Sequence, residues 1–124
     1  MTPRPTPDYV PAHGLLAGRR VVITAAAGAG IGSAAALRCL EEGAALVVIG
    51  DTHPGRLQAA HDELAAQFGA DRVRSAVCDV TNEEQVQALL DVAEAEGPID
   101  VMINNAGLGG TASILEMTDA QWQL

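Results

Sequence analysis

The chain has 124 residues, enough for one domain, and 48% of them are hydrophobic, a globular composition that can bury a core. Its net charge is −9, with no lysine and seven dispersed arginines, which excludes the cationic surface that nucleic-acid phosphates require. No apolar run approaches the ~20 residues of a membrane span, and Cys39 and Cys78 have no metal-binding spacing, so they read as small buried hydrophobes in a reducing, cytoplasmic setting.

Residues 1–17 carry four of the six prolines and form an arm that is either mobile or laid on the surface; the domain proper runs over 18–124. "RRVVIT" (19–24) is a β-branched run and predicts a buried strand. "GSAAALRCLEEG" (32–43) predicts a helix ending at Gly43, and "AALVVIG" (44–50) a second strand. Residues 53–69 place Leu57, Ala60, Leu64 and Phe68 at helical spacing, and "RVRSAVC" (72–78) predicts a third strand.

Thr81 and Glu84 have the spacing of a capping box, which predicts a helix from Thr81 to about Glu96 with Val86, Leu89, Leu90 and Ala93 as its apolar stripe. "IDVMINN" (99–105) predicts a fourth strand, and Thr118 with Gln121 opens a last helix, in which Trp122 is expected to anchor against the sheet. His13, His53 and His61 are scattered and define no metal site, while Glu41, Glu42, Glu94 and Glu96 read as solvated helix faces. Strands alternating with helices of this length define βαβ units, hence an α/β fold with a parallel sheet whose strands are apolar because both faces are covered.

"TAAAGAGIG" (24–32) joins the first strand to the first helix. Ligands of open parallel sheets bind beyond the carboxyl ends of the strands, and glycines let backbone N–H groups approach a diphosphate at the start of a helix. Three other features converge on that edge. Asp51 ends the second strand, nineteen residues after Gly32, where a carboxylate accepts both hydroxyls of an adenosine ribose and repels a 2′-phosphate. Asp79, in "CDV", has either an adenine amino group or the cap of the following helix as its partner. "NNAG" (104–107) ends the fourth strand with small residues that leave room for a ribose and nicotinamide.

Glycine loop, "CDV" and "NNAG", in this order and at this spacing, resemble the short-chain dehydrogenase/reductase family from about Leu15 to Leu124. The resemblance implies a Rossmann-type doubly wound parallel sheet, of which this chain holds the first four strands in the order 3-2-1-4. It implies NAD as cofactor, with Gly28, Gly30, Ile31 and Gly32 lining the pyrophosphate and Asp51 on the adenosine ribose. Asp79 and Val80 would meet the adenine, and Asn105, Ala106 and Gly107 the nicotinamide side. It also implies hydride transfer on a small-molecule alcohol or ketone, and a homo-oligomer, dimer or tetramer, when full length. "TAAAGxGIG" with "NNAGLGG" is similar to a subgroup of reductases acting on coenzyme A thioesters in steroid-ring breakdown. One departure stands out: alanine follows Thr24 where the family has glycine, and the loop is one residue longer.

The family's tyrosine with a lysine four residues later has no counterpart here. There is no lysine, Tyr9 lies in the arm, and Ser113 comes earlier than the family's serine. No residue is therefore assigned a catalytic role. The chain reads as the amino-terminal, cofactor-binding part of a longer enzyme, expected to be inactive alone. A complete, non-catalytic NAD-binding module is the alternative, and a Rossmann-type methyltransferase the third reading.

Overall fold

The computed structural model describes residues 2–110 and 112–123; Met1, Thr111 and Leu124 lie outside the described residues. Four strands, β1 (Arg20–Thr24), β2 (Leu46–Asp51), β3 (Val73–Val77) and β4 (Val101–Ile103), form one sheet in the order β3-β2-β1-β4, every neighbouring pair parallel. The expected topology is therefore the observed one. The register pairs Val22 with Val48 and Met102, and Ile49 with Ser75, so all four carboxyl ends emerge at one edge.

Period-two alternation divides the strand side chains between two cores. Val21, Ile23, Val47, Ile49 and Val73 face α1 (Ile31–Glu41) and α2 (Pro54–Phe68), which contribute Ala36, Leu40, Leu57 and Leu64. Val22, Leu46 and Val48 face α3 (Glu83–Glu94), which contributes Leu89 and Ala93. Leu89 lies directly over Gly50: a Cβ built on that glycine would stand 2.9 Å from the Leu89 Cδ2. Leu89→Ala therefore opens a cavity that β2 cannot fill, and a loss of about 3 kcal/mol is expected. Urea unfolding with an unchanged m-value checks it.

Helix ends follow local chemistry. α1 stops where Gly43 takes φ +88 and the Ala44 N–H reaches the Cys39 carbonyl at 3.1 Å. His53 caps α2, its Nδ1 accepting the Arg56 N–H at 3.2 Å, a role its isolated position in sequence did not suggest. The capping box at Thr81 and Glu84 does not form. Asn82 caps α3 instead, accepting the Gln85 N–H, and the Thr81 N–H that the box would give to Glu84 goes to Asp79. The box at Thr118 and Gln121 does form and opens α4 (Asp119–Trp122). Trp122 is 75% exposed and so does not pack on the sheet among the described residues. β4 is shorter than the span 99–105, because the chain turns at Asn105, whose N–H returns to the Ile103 carbonyl.

The arm lies on the surface, and Glu42 is the reason. Read from sequence as a solvated glutamate, Glu42 is 3% exposed and accepts the backbone N–H groups of His13 (2.8 Å) and Leu15 (3.1 Å) and the Arg38 guanidinium (2.5 Å). Arg38 also donates to the Val10 carbonyl and lies over the Tyr9 ring, and Tyr9 donates to Glu41. The Leu15 and His13 N–H groups, then Arg38, hold the Glu42 carboxyl below the usual carboxylate range. A carboxyl shifted downward stabilises above its unfolded pKa, and that contribution is lost as pH falls through the folded value. The His13 and Leu15 amide signals are thus expected to shift together on acidification below the ordinary carboxylate range. Glu42→Gln should give the released positions already at neutral pH, as read by NMR.

Candidate functional site

At the carboxyl edge of the sheet, residues 25–30 connect β1 to α1, and the loop's shape is set from outside because its alanines and glycines cannot set it themselves. Ala25 occupies the left-handed region at φ +53, where the family carries glycine; it is the only such non-glycine residue among those described. Its carbonyl accepts the Asn105 Nδ2 at 3.1 Å, and the same nitrogen donates to the Thr24 carbonyl at 3.1 Å. The Thr24 hydroxyl accepts the N–H groups of Asn105 and Ala106, each at 3.0 Å. β1 and the segment after β4 are therefore clasped together. Gly32 makes the clasp possible, since a Cβ there would stand 2.4 Å from the Ala25 carbonyl oxygen.

The tip of β2 holds the next two residues. The Gly50 carbonyl accepts the Ala26 N–H and the Asp51 Oδ2 accepts the Ala27 N–H, both at 3.1 Å. Beyond these anchors, the N–H groups of Gly28, Ala29, Gly30 and Ile31 donate to no other described residue. Gly30, the N-cap, and Ile31 are among the orphan donors of an 11-residue helix, with the positive end of its dipole behind them, and Gly28 and Ala29 precede it in the loop. A Cβ on Gly28 or Gly30 would meet nothing within 4 Å, so the loop is open on that side.

Two cavities of about 620 Å³ flank the loop. One, between α1 and α2, is bordered by Ala26 to Gly30, Ser33 and Arg56. The other is bordered by Ala25, Asp51, Cys78, Asp79, Val80 and Ala106 to Leu108. Of the residues predicted from sequence, Asp51, Asp79, Val80, Ala106 and Gly107 thus share one cavity, and Gly28 and Gly30 border the other. Ile31 is exposed at the start of α1, Gly32 is buried beneath the loop, and the Asn105 side chain is committed to the clasp rather than to a cavity. Thr24, Ala25 and Arg56 are not among the site residues predicted from the sequence. A threonine at a strand's carboxyl end, followed by a residue standing where the family has glycine, is the signal for the first two.

Asp51 is 7% exposed, its Oδ1 accepting the His53 N–H at 3.1 Å and lying 3.8 Å from the Arg56 guanidinium. Asp79 accepts both the hydroxyl (2.7 Å) and the N–H (2.9 Å) of Thr81, which hold its carboxyl below the usual range, the hydroxyl contributing most. Burial, and then the neighbouring Asp79 charge, push the Cys78 thiol up, so it is a wall of the cavity rather than a nucleophile. No cluster of potential metal ligands occurs among the described residues. No described helix is long and apolar enough to cross a membrane.

A doubly wound sheet with unpartnered loop amides at the first helix and a carboxylate at the tip of the second strand defines a dinucleotide-binding domain. Residues 19–124 match the family model of short chain dehydrogenases, and the chain belongs to this family of oxidoreductases. It is 53% identical over 117 residues (94% of this chain, 44% of the relative) to (5R,7aS)-5-hydroxy-7a-methyl-1-oxo-2,3,5,6,7,7a-hexahydro-1H-indene-carboxyl-CoA reductase of Mycobacterium tuberculosis. A short chain dehydrogenase from Mycobacterium smegmatis superposes with a TM-score of 0.85 at 49% identity, covering 96% of this chain and 48% of the other. L-sorbose reductase from Gluconobacter frateurii, in complex with NADPH and L-sorbose, superposes at 0.76 with 35% identity over 87% of this chain and 40% of that one. A Burkholderia phymatum relative in complex with NAD gives 0.74 and 35% over 86% and 37%. The chain thus spans about half the length, or less, of these relatives. The family match sets the methyltransferase reading aside.

Proposed function

We propose that the full-length protein is an NAD(H)-dependent oxidoreductase that moves hydride between the nicotinamide and a secondary alcohol or ketone on a coenzyme A thioester of steroid-ring origin. The substrate class follows from the 53% identity to a reductase of a hexahydro-indene-carboxyl-CoA. Relatives of the family in complex with NAD and with NADPH support a nicotinamide dinucleotide as coenzyme, and the observation that favours NAD is the Asp51 carboxylate bordering the cavity beside Asp79.

The residues present fit such a cofactor. The cavity volume lies within the range of small-molecule sites, and four unpartnered amides meet the need of a diphosphate. Gly28, Gly30 and Ile31 would hold the diphosphate, Asp51 the adenosine ribose, and Asp79 and Val80 the adenine. Ala106 and Gly107 would border the nicotinamide ribose. The nicotinamide supplies or accepts the hydride when bound. The chain's own residues bind and orient the dinucleotide, and none of them supplies the tyrosine and lysine pair of the family. The 124-residue chain alone is accordingly expected to turn over no alcohol with NAD, and the full-length protein to be a cytoplasmic dimer or tetramer.

The carboxylate of Asp51 beside a 2′-phosphate is a like-charge contact, so NADH should bind at least about tenfold tighter than NADPH. Calorimetric titration with both coenzymes checks this, and Asp51→Asn should narrow the gap. One observation favours the opposite preference: Arg56, 3.8 Å from Asp51, could itself receive a 2′-phosphate. NADPH binding tighter than NADH, with the preference abolished by Arg56→Ala, would establish that reading instead.

A further inference from the structure

We propose that Asp51 is a positioning residue for the lengthened glycine loop, acting on the coenzyme through the backbone amides it anchors as well as through the ribose. The inference rests on the dinucleotide reading above. A carboxylate kept only for a sugar would stand open to the cavity. Asp51 is almost fully buried, and its Oδ2 accepts the Ala27 N–H from 24 positions earlier in the chain. The neighbouring Gly50 carbonyl takes the Ala26 N–H. Two consecutive loop amides are thus tied to two consecutive residues of β2, immediately after the left-handed kink at Ala25.

This anchorage answers the extra residue. Residues 25–30 are all alanine or glycine, so no loop side chain can pin the backbone, and each free residue would have to be ordered at the moment of binding. A charge-assisted bond from Asp51 fixes Ala27, and the unpartnered amides begin at the next residue, Gly28. The His53 N–H holds the other carboxylate oxygen, with the Arg56 guanidinium 3.8 Å away, so the anchor is itself braced by the N-cap of α2. An ionised carboxylate has about four acceptor positions, and the two hydrogen bonds from Ala27 and His53 leave room for the ribose hydroxyls.

Two measurements on the full chain separate the roles. Amide hydrogen exchange in the ligand-free wild-type protein should show Ala26 and Ala27 protected while Gly28 and Gly30 exchange freely. The second probe is an NAD analogue lacking the adenosine 2′- and 3′-hydroxyls, which cannot use Asp51 through the ribose. Asp51→Ala should weaken this analogue by about tenfold or more and unprotect Ala27, with exchange in β1 and β2 unchanged. Asp51→Asn, which keeps one acceptor oxygen, should restore most of the analogue's affinity. The proposal is overturned if Ala27 exchanges as fast as Gly28 in the wild type. Equal affinity of Asp51→Ala and wild type for the analogue overturns it too, as does an Asp51→Asn no better than Asp51→Ala. If neither NAD nor the analogue binds wild type, the coenzyme reading fails, and Ala27 protection still decides whether Asp51 anchors the loop.

Discussion

Gly32→Ala is expected to destabilise the fold by about 3 kcal/mol and to abolish measurable coenzyme binding. The added Cβ would lie 2.4 Å from the Ala25 carbonyl oxygen, 2.6 Å from the Asn105 Nδ2 and 3.1 Å from the Ala25 carbonyl carbon. None of these atoms has slack. Ala25 already sits in the left-handed region, and the Asn105 amide is held by two carbonyls at 3.1 Å. The methyl can be accommodated only if α1 retreats from β1 or the clasp opens, and either change moves the loop. Gly28→Ala and Gly30→Ala are the internal controls, because neither Cβ meets anything within 4 Å and neither residue has a positive φ. These two should unfold within about 0.5 kcal/mol of wild type. Denaturant midpoints for the three variants distinguish a tight backbone approach from a generic preference for glycine. A Gly32→Ala protein as stable as the controls would remove the clasp from the account.

How far the sequence reached is a matter of which forces have a local signature. The parallel sheet and its two-sided core follow from β-branched runs spaced by amphipathic helices, since hydrophobic period is written directly in the residues, whereas the strand order came with the family resemblance. Asp51, Asp79 and "NNAG" were locatable because each falls at the carboxyl end of a strand. What was hidden is long-range hydrogen bonding. Glu42 looked like a surface charge because nothing in "CLEEG" tells that the amides of His13 and Leu15, nearly thirty residues earlier, would converge on it. Asn105 shared a motif with cavity residues, yet its amide is spent on the carbonyls of Thr24 and Ala25. The competition at Thr81 was likewise undecidable from spacing, since a capping threonine and a threonine donating to Asp79 fit the same letters. Trp122 shows the reverse limit: a large apolar residue in a capped helix carries no statement of what it packs on.

Thr24→Val carries the other large expectation, a loss of about 3 kcal/mol. Valine nearly matches threonine in volume and suits the end of a strand, so packing against the buried surroundings of Thr24, 3% exposed, changes little. What disappears is the hydroxyl that accepts the N–H groups of Asn105 and Ala106 at 3.0 Å each. Removing one acceptor from two donors leaves each at a cost of about 1–3 kcal/mol where water cannot replace it. The Asn105 N–H keeps its bond to the Ile103 carbonyl, so the penalty falls mainly on Ala106, which borders the Asp51 cavity. Thr24→Ser keeps the oxygen and loses only a methyl group, and should cost about 1 kcal/mol. The order Thr24→Val well below Thr24→Ser, in stability and in coenzyme affinity together, is the signature of a hydroxyl that joins β1 to the segment after β4. If serine proves the more damaging substitution, the methyl packing governs this position and the clasp depends on Asn105 alone.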